Sequence, residues 1–181
     1  GLPPMQITLI HEYFHTIQLG YRCSNGDYFW EITSTWIEDV VFPDNDDYLN
    51  FMHSPSDFNY YKNPEIDLDE TNGYSAAWFG HFLSTHYDDI GGITHVEELE
   101  SVIMRKIWER MAVSGSSALN IVDYILENEY NSSFIEAWVE FNSRNLFSQI
   151  DESFYYYQDQ VEIEPIITSE TIEIEDSVFS V

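Results

Sequence analysis

One segment constrains the fold of this chain more than any other. Residues 5–19, MQITLIHEYFHTIQL, hold a single charged side chain, Glu12, in a chain whose formal net charge is −27. Apolar residues occupy most positions of the segment, and neither charge nor proline interrupts it from Thr8 to Ile17 apart from Glu12. It reads as a buried helix that ends at Gly20, a residue suited to a helix C-terminus. Two histidines and a glutamate enter the interior with it, which is costly unless each finds a partner.

Those three residues form His11-Glu12-Tyr13-Phe14-His15, the pattern HExxH. On a helix, positions i and i+4 stand one above the other on one face. Both imidazoles can therefore reach one ion at about 2.0–2.1 Å, the usual zinc–nitrogen distance. Glu12 lies about 100° round the helix, beside the ion, where its carboxylate can take a proton from a metal-activated water. Random order of this composition gives about 0.02 such matches, so chance is a small competitor. The plainer alternative keeps both histidines in a core, hydrogen-bonded to carbonyls.

A third ligand has to come from elsewhere. Glu31 opens a second helix, WEITSTWIEDV, and Glu38 lies seven positions on, on nearly the same face, with Asp39 beside it. Glu31 is better placed, because a turn at Asn25-Gly26 lets this helix fold back along the first. A solvent-facing carboxylate favoured by the helix N-terminus would also account for Glu31. Two histidines and one carboxylate suit zinc, and they also suit iron.

The remainder divides near residue 150. Up to there the chain reads as a mainly α domain (1–150), with helices over 30–41, 74–87, 95–112, 117–129 and 132–149. Residues 43–73, with three prolines and many Asp and Asn, read as a long surface excursion with a short helix at Tyr48–Met52. In 132–149 the apolar positions are Phe134, Trp138, Val139 and Phe141. Residues 151–181 alternate in a strand-like period of two at Phe154–Tyr157, Val161–Glu164 and Thr171–Glu175, so α+β describes the chain overall. The β segment either packs on the helical body or starts a following domain. Met104, Trp108 and Met111 belong to the core.

Charge excludes several function classes. Thirty-three acidic side chains face only 6 basic ones, a surface that repels phosphate and so disfavours nucleic acid and anionic membrane. No run of 18 apolar residues exists to span a bilayer. A lone cysteine, Cys23, cannot form a disulfide within the chain. Gly1 reads as a cut end. Acidity, scarce lysine and aromatic content suit a secreted or cell-surface protein; Asn131-Ser132-Ser133 matches a glycosylation sequon, a triplet that chance also produces often.

HEYFHTIQ followed by FWEITSTWIEDVVFPDNDDY resembles the gluzincin metallopeptidases, in which a second helix carries a glutamate ligand. It is most similar to a bacterial metalloprotease group with a W-x-E-G-x-A-x-W-x-E-D second motif, here Trp30-Glu31-Ile32-Thr33-Ser34-Thr35-Trp36-Ile37-Glu38-Asp39. The resemblance covers residues 5–50 well and 70–150 loosely. It implies that His11, His15 and Glu31 bind one zinc ion and that Glu12 is the general base. It also implies that Tyr74 stabilises the oxyanion, with His81, His86 and Tyr13 as alternatives. Tyr74 and His81 also read as half-buried helix residues.

Ile32 replaces the small residue usual after the ligand glutamate. Thr35 stands where relatives carry an acid that orients a histidine, which leaves Asp39 or Glu38 for that role. The family's N-terminal sheet is missing from the segment before His11, so further N-terminal and C-terminal parts are expected. Asp44-Asn45-Asp46-Asp47 could bind calcium, or form a solvated turn. The resulting expectation is a zinc peptidase acting on peptide or protein substrates. The alternative is a degenerate module that keeps zinc for structure and binds a partner through its acidic, tyrosine-rich surface.

Overall fold

The computed structural model describes residues 4–23, 28–42, 47–54, 56–88 and 101–146. Among them the fold is mainly helical and contains no strand. In chain order the helices are α1 (Pro4–Tyr21), α2 (Tyr28–Val41), α3 (Asp47–Met52), α4 (Ala77–Tyr87), α5 (Val102–Val113), α6 (Ala118–Glu129) and α7 (Phe134–Asn145). Two 3₁₀ turns, Leu68–Glu70 and Tyr74–Ala76, precede α4. The strand-like stretches after residue 151, together with Val96 and Leu99, lie outside the described residues.

α2 is the centre of the molecule. It packs against α1, α3, α4 and both 3₁₀ turns, and most of its residues are buried, from Phe29 to Val40. A helix enclosed in this way needs partners for its polar residues, and those partners build the site described below. Behind it, α4 and α7 meet through an aromatic layer: Trp78, Phe79 and Phe82 against Phe141, with ring centroids 5.2–5.4 Å apart. α6 and α7 start at serines whose side chains accept from Asn120 N–H and Glu136 N–H, satisfying donors that a helix start leaves unpaired.

α1 is not the buried helix its apolar sequence suggests: Met5, Leu9, Tyr13, Ile17 and Leu19 are exposed, and Glu12 is exposed as well. Its buried residues are Ile7, His11 and Gln18, because only the stripe that faces α2 is covered. Three further sequence expectations need correction. α1 continues through Gly20 to Tyr21, because Arg22 N–H bonds the Gln18 carbonyl and prolongs the ladder. Val139 is 59% exposed; Phe134, Ala137, Trp138 and Phe141 hold the inward face of α7, and Val139 falls off it. The third concerns 43–73, whose described part is no surface excursion: Tyr48, Met52, Tyr60, Tyr61 and Leu68 are buried. Buried Asn59 makes this possible by donating to the Phe51, Met52 and Ser54 carbonyls and accepting from Tyr61 N–H. An irregular backbone can enter a core once its polar groups are paired.

Candidate metal centre

α1 and α2 lie side by side, and the site forms between them. His11 Nε2 is 3.0 Å from His15 Nε2 and 3.1 Å from Glu31 Oε2, and His15 Nε2 is 3.6 Å from the same oxygen. A tetrahedral ion with ligand bonds of about 2.0–2.1 Å spaces its ligand atoms about 3.3–3.4 Å apart. The triangle therefore fits one such ion, and these three residues are the described group able to hold one.

The other two ring nitrogens are already occupied. Nδ1 of His11 lies 2.5 Å from Glu38 Oε1. Nδ1 of His15 lies 2.6 Å from Gln18 Oε1 and 3.1 Å from Ser34 Oγ. Glu31 and Glu38 are seven residues apart on one face of α2, so the two carboxylates bracket the His11 ring. Glu38 therefore meets His11 on the side of the ring away from the triangle, at the nitrogen where a carboxylate can orient an imidazole, while Glu31 joins the triangle.

Burial disfavours a charge on His11, but hydrogen bonds and charge from Glu31 and Glu38 outweigh it and lift its pKa to about 9. Burial likewise opposes ionisation of Glu31, yet bonds from His11 and Tyr74, with the nearby imidazoles, keep its carboxyl below the ordinary range. Without a metal, His11 is therefore a cation held between two carboxylates. A metal ion is a second way of supplying that positive charge.

Beside the triangle opens a cleft of about 220 Å³, lined by Ile7, Thr8, His11, Glu12, Glu38, Phe51 and Tyr74. The Tyr74 ring stacks on His11, centroids 5.5 Å apart and planes 7° from parallel, and Phe51 packs 4.9 Å from Tyr74. Tyr74 donates to Glu31. Burial first, then the negative charge of Glu31, Glu12 and Glu38, push its phenol upward, so it stays a proton donor.

The preceding residue, Gly73, has φ 79°, and a Cβ there would meet the Tyr28 carbonyl at 2.4 Å and Glu31 Cβ at 2.5 Å. Only glycine lets this turn close on α2 and set Tyr74 beside Glu31.

The other candidates lie elsewhere. Tyr13 is 61% exposed on α1. His81 is buried, with Nε2 3.7 Å from Asp39 Oδ2 and its ring 5.1 Å from Tyr48, and burial pushes its pKa down to about 3. His86 stacks on Phe82 near the end of α4. Ile32 is a core residue. Asp44–Asp46 lie outside the described residues, and Asp47 opens α3.

Sequence reasoning missed Gln18, Ser34 and Phe51. Only Gln18 carried a signal: it is three residues past His15, hence on the same face, in an otherwise apolar stretch. No family model, curated protein or solved structure matches this chain.

Proposed function

We propose that the chain is a zinc-dependent, gluzincin-like metallopeptidase domain that hydrolyses peptide bonds. One observation carries this reading: three ligand atoms converge at 3.0–3.6 Å beside a cleft that Glu12 borders. His11, His15 and Glu31 would hold the ion. Bound there, zinc supplies a Lewis acid that acidifies water and polarises a carbonyl. Glu12 takes a proton from the attacking water and returns it to the leaving amine. Tyr74, protonated and adjacent, exchanges its Glu31 acceptor for the oxygen that gains charge.

Elemental mass spectrometry of the purified chain, with His15→Ala as control, tests the site. The expected result is about one zinc per chain, lost in the control. Iron in its place would redirect the reading to oxygen chemistry. Glu12→Gln then tests the reaction, since it should keep the zinc and lose about 10²–10⁴ in turnover. Full turnover in that variant removes Glu12 as the base. A wild-type chain that holds zinc yet cleaves no peptide is the structural-zinc, partner-binding module.

A further inference from the structure

Gln18 is fully buried, yet it touches neither the cleft nor the ion's position, and packing alone does not require an amide there. Its Nε2 lies 3.0 Å from the Trp30 carbonyl, 2.9 Å from Thr33 Oγ1 and 3.0 Å from Ser34 Oγ. A carbonyl only accepts, so the group facing Trp30 must be the NH₂ end of the amide. Thr33 adds to this: its hydroxyl donates to the Phe29 carbonyl at 2.9 Å and so offers a lone pair to Gln18. The amide cannot flip without opposing oxygen to oxygen at Trp30. Its Oε1 is therefore fixed on His15, and the nitrogen 2.6 Å away has to carry the hydrogen.

We infer that Gln18 is a positioning residue that locks His15 in the Nδ1–H tautomer, leaving the Nε2 lone pair free for the metal. The inference rests on the metal-site reading above. Histidine in water favours the opposite tautomer, so the lock selects the minor form before any ion arrives. The chain of bonds also ties His15 to the Trp30–Ser34 turn of α2, one end of which is next to Glu31. A ligand on α1 and a ligand on α2 are thus aligned by one buried amide, whose acceptors lie in the first turns of α2.

The test begins with the metal-free full chain, ¹⁵N-labelled at histidine. Long-range ¹H–¹⁵N spectra, with His15 assigned through His15→Ala, report which ring nitrogen is protonated. Nδ1–H is expected for the wild type, and a ring protonated only at Nε2 overturns the inference. Gln18→Met keeps the volume and removes the amide. It should release the tautomer and weaken zinc about 10–100-fold in chelator competition, a pairing that simple loss of packing would not produce.

Unchanged tautomer and zinc affinity in Gln18→Met would overturn the assignment. Ser34→Ala guards against a Gln18 variant that fails to fold. It should leave the tautomer unchanged, and a flipped His15 there would move the role to Ser34. A wild type with the Nδ1–H tautomer that binds no zinc defeats the metal reading while leaving the amide lock measured.

Discussion

His11 holds a proton beside the position proposed for the metal, and this gives the residue a measurable titration. In the metal-free chain its pKa is raised from 6.5 to about 9. A group raised on folding stabilises fully below its unfolded pKa and loses that contribution as pH climbs through the folded value. The melting temperature of the metal-free chain should therefore fall as pH rises from 6.5 to about 9. Zinc displaces the same proton. Calorimetry at pH 7 in two buffers of different ionisation enthalpy should show about one proton released, and none from His11 well above its pKa.

Glu38→Gln keeps an acceptor for Nδ1 but removes a charge, so the pH at which release stops should move down. An identical release profile would show that Glu38 does not tune His11. At this scale the sequence was legible where spacing is local: His11 and His15 share a face by helix geometry alone. Which of Glu31 and Glu38 groups with the two Nε2 atoms depends on where the His11 ring sits between them. That is long-range geometry, which a pattern along one chain does not encode.

At the scale of elements, α2 is both the core's central helix and the support of two site carboxylates. Glu31 and Tyr74 keep their positions because the Asn72-Gly73 turn closes against the start of α2. Gly73→Ala forces a Cβ into the Tyr28 carbonyl at a positive φ, a strain on the order of 1–3 kcal/mol. Its expected signature is a lower melting temperature and at least about tenfold weaker zinc binding, in line with loss of ligand support. The near-ultraviolet circular dichroism of the Trp78–Phe141 layer should persist. Unchanged zinc affinity would mean that the turn does not set the site.

Asn72-Gly73 is a turn dipeptide in its own right, and the helices were readable from their periods. The inward folding of residues around Asn59 was not. Prolines and acids advertise a loop, while burial there depends on one amide pairing with four backbone groups, a satisfaction visible only in three dimensions.

For the whole molecule, charge is the dominant global term. With a net −27, self-repulsion opposes the compact state. The described lysine and arginine ion pairs, such as Arg144–Glu140 on α7 and Lys106–Glu129 between α5 and α6, lie toward the surface, where such pairs are worth about 1 kcal/mol or less. Raising monovalent salt from about 0.01 to 0.15 M shortens the screening length from about 30 to 8 Å. The melting temperature should therefore rise with salt, as relief of repulsion exceeds loss of the pairs. A falling temperature would show that the few pairs outweigh the net charge.

The packing around His15 also equips the protein with an optical reporter. Its ring stacks on Trp30 at 6.0 Å, and Trp30 meets Trp108 edge to face at 5.7 Å. An indole this close to an imidazole senses a charge arriving on it, because excited-state emission responds to the local field. Occupancy of the site should thus be written into the native tryptophan emission, saturating with added metal. In Trp30→Phe that change should shrink sharply, turning an architectural contact into a label-free titration of the centre.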